Sequence, residues 1–132
     1  MVETDNINDM YKFKTPALRN VSLTAPYGHN GAYPTLKSII KHHLNPIKMS
    51  KNWKPEYANL PKVPWLEEID FVTFSDKREQ DRILSSIDIQ PIELNDKEID
   101  QLVSFLESLT GRSGNQRPLG KPDKVPSGLS ID

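Results

Sequence analysis

The chain has 132 residues, 17 Lys+Arg against 18 Asp+Glu for a formal net charge of −1, and no cysteine. Near-neutrality argues against a nucleic-acid protein, whose phosphate-binding surface shows a clear Lys/Arg excess. The missing cysteine removes disulfides, thiolate nucleophiles, Cys-ligated zinc, iron–sulfur clusters and covalent c-type haem attachment within this chain. The length suits one domain. With 36% apolar residues, 11 prolines and a mean hydropathy of −0.60, its own core is thin and needs something else to fill its middle.

The first ten residues, MVETDNINDM, are polar and acidic. They lack the basic start and apolar stretch of a signal peptide, so as it stands the chain is expected to stay in the cytoplasm. No apolar run approaches the roughly 20 residues of a membrane helix. Residues 11–34 hold Pro16, Pro26 and Pro34 with Gly28 and Gly31 between them, which reads as ordered loop. That loop carries Phe13, Leu18, Val21, Leu23, Tyr27 and Tyr33, and an apolar loop of this kind wraps around something.

A short helix follows, N-capped by Thr35, with Leu36, Ile39, Ile40 and His43 at i, i+3, i+4 and i+7. The stripe is narrow and turns His43 inward, while His42 points away from it. Residues 45–74 are Pro-rich and carry Trp53 and Trp65, which reads as a packed long loop. Ser75–Leu84 is a short charged helix capped by Ser75, interrupted beyond by Pro91. The strongest helix starts at Asn95, where Asn95 and Glu98 form a capping box and Asp96 suits the positive end of the dipole. Ile99, Leu102, Val103, Leu106 and Leu109 form its core stripe with Phe105 alongside, and Gly111 is the expected stop. Residues 112–132 are Gly/Pro/Ser-rich and read as an extended arm.

Three histidines, His29, His42 and His43, are the candidates for chemistry. A histidine on an apolar stripe is either a core residue bonded to backbone or a metal or haem ligand through neutral Nε2. Adjacent His42 and His43 project about 100° apart on a helix, which disfavours their chelating one ion together. His29 lies in YGHNG, where the glycines permit a sharp turn, and a turn histidine making a structural hydrogen bond is its plain reading. Glu67, Glu68 and Asp70, like the alternating charges Lys77, Arg78, Glu79, Asp81 and Arg82, read as solvated faces. No phosphate loop, dinucleotide fingerprint, serine-nucleophile elbow or H-E-x-x-H occurs.

The segment FKTPALRNVSLTAPYGHNGAYPTLKSIIKHH, residues 13–43, resembles the C-terminal haem domain of bacterial di-haem cytochrome c peroxidases, a superfamily that includes the methylamine utilisation (MauG) type. LVSFLESLTG (102–111) is similar to that family's closing helix, and VPSGLSID (125–132) to its ending. The resemblance implies a mostly α, cytochrome c-like haem domain with long ordered loops. Its parts would be a polar lead at 1–10, the C-terminal part of the haem domain at 11–111 and an extended arm at 112–132. It also implies hydrogen peroxide reduction in the periplasm, with two haem c groups and electrons from a cytochrome c or cupredoxin.

Counted from His29, the resemblance puts His43 where the family carries the distal axial ligand, Met or Tyr, of the electron-receiving haem. It implies an interdomain calcium on the backbone carbonyls of Thr24 and Pro26, since carbonyl oxygens suit a hard cation. Arg19 would be a haem-edge or interdomain residue, or else a loop anchor, and His29 part of the haem surroundings. Imidazole in place of thioether would lower the haem potential. Both C-x-x-C-H motifs lie outside this sequence, so the chain reads as a fragment or split-gene product that needs the N-terminal haem domain and is inactive alone. Two rivals stand beside this reading: a non-catalytic interaction or structural module, and a divalent-metal binder using His29 with His42 or His43.

Overall fold

The computed structural model describes residues 6–60, 63–66 and 69–111. The described residues are mostly α, with long ordered loops and no strand, in keeping with the expected cytochrome c-like class. The polar lead falls partly, and the arm 112–132 wholly, outside the described residues, as do Glu67 and Glu68.

Among the described residues five α-helices follow one another: α1 (Leu36–Leu44), α2 (Pro46–Asn52), α3 (Val72–Ser75), α4 (Lys77–Ser85) and α5 (Asp96–Ser108). Single 3-10 turns lie at Ile7–Asp9, Val21–Leu23, His29–Gly31 and Pro55–Tyr57. Both framework helices start as the sequence dictates. In α1 the Thr35 hydroxyl accepts from the Ser38 N–H, and Ser38 reaches back to the Thr35 N–H. In α5 Asn95 and Glu98 do the same. Each box satisfies two otherwise orphaned donors.

Three boundaries differ from the sequence expectation. Residues 46–52 form helix α2, not loop, because the Asn45 side chain accepts from the Lys48 N–H and Pro46 sits at the first helical position, where its missing N–H costs nothing. The cap of α4 is Asp76, whose carboxylate accepts from the Arg78 N–H, while Ser75 ends α3. Helix α5 stops at Ser108, before Gly111. The Gly111 N–H instead donates to Asn20 Oδ1 at 2.8 Å, and the Asn20 N–H donates to the Leu109 carbonyl. The loop therefore terminates the helix.

Helix α1 packs against α2 and α5, and α5 also packs on the Val21–Leu23 turn. Lys41 pairs with Asp96 and Lys37 with Asp100, so α1 and α5 run antiparallel. The core is thin, as the composition implies: Tyr27, Tyr33, Leu36 and Ile99 are the buried hydrophobics among the described residues. Val21, Ala32, Ile39, Met49, Trp53 and Leu106 pack partly buried around the first three. Leu102 and Phe105, expected in or beside the α5 stripe, lie exposed, as do Phe13, Leu18 and Leu23 of the loop.

Candidate functional site

The site grows out of the tight turn before α1. Tyr27 and Tyr33 exchange backbone hydrogen bonds of 2.7 and 2.9 Å across the His29–Gly31 turn. Gly28 (φ +77°) and Gly31 (φ +66°) both take left-handed backbone, which glycine adopts without a Cβ penalty. A Cβ on Gly31 would also meet Pro26 at 3.0 Å and the Asn59 carbonyl at 3.1 Å. The turn thus presents His29 outward, exposed, with its ring 5.0 Å from that of Phe13.

The two helical histidines part company. His43 is exposed, because the cover over α1 extends to Leu36 and thins beyond Ile39 and Ile40. The inward orientation expected from the stripe is therefore not realised among the described residues. Its Nδ1 lies 2.9 Å from the Ile39 carbonyl. A carbonyl only accepts, so in the neutral ring Nδ1 carries the proton and Nε2 the lone pair. That Nε2 makes no hydrogen bond among the described residues. The ring is thus bonded to backbone through Nδ1 and keeps a lone pair on Nε2.

His42 turns toward a cavity of about 610 Å³ between α1 and the 50–83 stretch. Its Nδ1 is 2.9 Å from the Tyr33 hydroxyl, and the two rings pack with centroids 5.1 Å apart. Burial, and secondarily the neighbouring His43, hold its pKa below the usual 6.5. Burial also raises the Tyr33 phenol. His29 lines the same cavity, whereas His43 does not. The His42 and His43 rings stand edge to face at 5.8 Å. His42 is among the candidate histidines of the sequence, but its place beside the apolar stripe did not reveal its partner, the Tyr33 hydroxyl.

Arg19, Thr24 and Pro26 are all exposed on the loop that precedes the turn. The carbonyls of Thr24 and Pro26 accept no backbone hydrogen bond among the described residues, and the Thr24 hydroxyl is turned to the Val21 carbonyl. No group of three or more His, Asp and Glu able to hold a metal ion occurs among the described residues. No helix there is long and apolar enough to cross a membrane.

No family model matches the chain, and no solved structure does. Curated relatives do. Methylamine utilization protein MauG of Paracoccus denitrificans is 36% identical over 104 residues, which is 76% of this chain and 23% of that protein. The MauG of Methylophilus methylotrophus is 33% identical over 64 residues, 48% of this chain and 19% of that protein. Cytochrome-c peroxidase IdrP1 of Denitromonas iodatirespirans is 47% identical over 38 residues, 29% of this chain and 10% of that protein. The chain spans less than a quarter of the length of these relatives. It is a relative of the di-haem cytochrome c peroxidase and MauG-type proteins, corresponding to a part of their length.

Proposed function

We propose that this chain is the C-terminal part of a di-haem cytochrome c peroxidase, in which His43 is the distal axial ligand of the electron-receiving haem. The observation that carries this reading is the His43 ring itself. It stands exposed on a capped helix, with Nδ1 at hydrogen-bond distance from the Ile39 carbonyl and Nε2 making no hydrogen bond among the described residues. A hydrogen bond from the other ring nitrogen to a carbonyl sets the tautomer and orientation of a histidine ligand. In that respect the residues fit the group; the cysteines that attach it would come from the rest of the protein, since this chain has none. When bound, the haem supplies one-electron iron chemistry.

The chain's own contribution would be to hold Nε2 toward the iron and to exclude water around it. Phe13 is 73% exposed and Phe105 56% exposed, with Leu18, Leu23 and Leu102 also open. These exposed apolar side chains are ones that a further surface would cover in the whole protein. The N-terminal haem domain would supply that surface. Arg19 would lie at a haem edge or the interdomain seam, with His29 in the haem surroundings. Thr24 and Pro26 would offer their carbonyls to an interdomain calcium, whose other ligands must come from elsewhere because two carbonyls bind weakly. Peroxide reduction in the periplasm, fed by a cytochrome c or cupredoxin, completes the proposal. The 1–10 lead, 11–111 body and 112–132 arm are its proposed parts.

The test is co-production of this chain with a separate haem-bearing N-terminal segment of a MauG-type relative. The two should copurify, reduce peroxide, and show a six-coordinate Soret band that His43→Ala removes. A stable complex without turnover favours the interaction-module reading. An unchanged Soret band in His43→Ala contradicts the ligand assignment. The divalent-metal reading, with His29 and His42 or His43, predicts zinc or nickel binding by the chain alone in calorimetry.

A further inference from the structure

The tight turn before α1 holds the chain's single Asn-Gly pair, Asn30–Gly31. That pair carries a reaction of its own. The Gly31 backbone nitrogen, after losing its proton to solvent, attacks the carbonyl carbon of the Asn30 side chain. A new C–N bond closes a five-membered succinimide, and the side-chain nitrogen leaves as ammonia with a proton returned from solvent. Water then opens either carbonyl of the ring, giving aspartate or an isoaspartate whose main chain runs through the side chain. Nothing is oxidised or reduced. Glycine in the second position favours the attack, because it has no Cβ to crowd the nitrogen. Asn30 is exposed, and its side chain makes no hydrogen bond among the described residues.

The closed turn holds the reacting atoms apart. Asn30 has φ +55° and ψ +32°, a left-handed backbone. In that conformation Cβ lies close to the residue's own carbonyl oxygen, so the Gly31 nitrogen sits on the opposite side of the Cα–C bond. Ring closure needs that nitrogen on the Cβ side, which only a large rotation of ψ achieves. Bonds on both flanks resist the rotation. Tyr27 and Tyr33 exchange their backbone pair, the Gly31 carbonyl accepts from the Asn59 N–H at 3.1 Å, and the Ala32 carbonyl accepts from Trp53 Nε1 at 2.9 Å. The isoaspartate does not fit back into the turn. Its main chain is longer by one methylene, in a place where even a Cβ on Gly31 would meet Pro26 at 3.0 Å.

We infer that Asn30 is a self-modifying residue gated by this turn, intact while the turn is closed and converted to aspartate or isoaspartate when it opens. The conversion adds a negative charge beside His29, needs no haem and does not rest on the peroxidase reading. The test is incubation of the full 132-residue chain at mildly alkaline pH, with and without denaturing urea, followed by trypsin digestion and tandem mass spectrometry. The tryptic peptide 20–37 contains Asn20 as an internal control, because its neighbour Val21 is β-branched and crowds the attacking nitrogen. Asn30 converts at least about 10-fold faster in urea than in buffer, as for a site whose reaction waits on local opening, while Asn20 stays intact. Trp53→Ala removes one clasp of the turn, so it speeds Asn30 conversion several-fold in buffer and leaves the urea rate unchanged. If circular dichroism shows that variant to be unfolded, Trp53→Phe, which keeps a ring and loses the hydrogen bond, takes its place. Equal rates in buffer and urea, conversion of Asn20 ahead of Asn30, or an unaltered rate in a folded Trp53 variant would overturn the inference.

Discussion

The α1–α5 pair and the excursion between them are held together in different ways. The pair rests on two complete capping boxes, the buried side chains Leu36 and Ile99, and the Tyr27–Tyr33 bridge beneath them. Residues 45–91 leave α1 at Leu44 and return where the Ile92 N–H donates to the Leu44 carbonyl at 2.8 Å. Between those points Pro46 is the buried residue among those described. The stretch is pinned at a few places: Trp53 Nε1 on the Ala32 carbonyl, Asn59 N–H on the Gly31 carbonyl, the Glu79 carboxylate on the Tyr11 hydroxyl, and Lys12 on Asp88. Local sequence signals build the first region. Long-range anchors hold the second, and a cavity remains where the two meet.

That contrast is breakable by mutation. Ile99→Ala, at a position 4% exposed, removes core volume from the framework and should cost about 3 kcal/mol. Urea unfolding would show the loss, and the excursion should go with it because two of its anchors, the Ala32 and Gly31 carbonyls, lie in the Tyr27–Tyr33 turn. Trp53→Ala removes the chief anchor of the excursion and one wall of the cavity. The expected loss is about 2 kcal/mol, less than for a fully buried ring. Hydrogen exchange should then report faster opening of 46–85 with α5 still protected. A global, uniform loss of protection would mean that the two regions are one cooperative unit. Asn95→Ala deletes one half of a capping box and should cost about 1 kcal/mol, confined to the start of α5.

A smaller effect sharpens the boundary between the regions. His42 has a depressed pKa in the folded chain, so its unfolded form binds a proton more readily. Its contribution to stability is therefore complete above pH 6.5 and is lost as pH falls below that value toward the folded pKa. Tyr33, His43 and the cavity groups His29 and Asp70 are the polar neighbours that face it or share its surroundings. Stability measured between pH 7.5 and 5 should decline, and His42→Phe should flatten that slope. An identical slope in the variant would place the titrating group elsewhere.

The framework was legible in the sequence because its determinants are local. Thr35, Asn95 and Glu98 announce their caps within four residues, and the 3.6-residue spacing places Leu36 and Ile99 inside. The glycines of YGHNG likewise announce the turn that carries His29. Helix α2 was read as loop: its start signal, Asn45 followed by Pro46, was obscured by Pro55, Pro61 and Pro64 farther along the same stretch. What the sequence concealed was partnership at a distance. Nothing near Asn20 reveals that it stops α5 through Leu109 and Gly111, and nothing near His42 except Tyr33 reveals its cavity. The α1 stripe correctly marks an apolar helix face, yet it cannot tell which part of that face this chain covers itself. His43 lies on the part it leaves open.

In the proposed assembly this open imidazole binds iron. Labelling only this chain with 15N-histidine, pairing it with an unlabelled haem-bearing N-terminal segment, and recording pulsed electron paramagnetic resonance of the ferric complex addresses that atom directly. The expected result is 15N hyperfine coupling from one labelled imidazole, lost in His43→Ala and retained in His42→Phe. Coupling that survives His43→Ala, or none at all in a copurified complex, would contradict it.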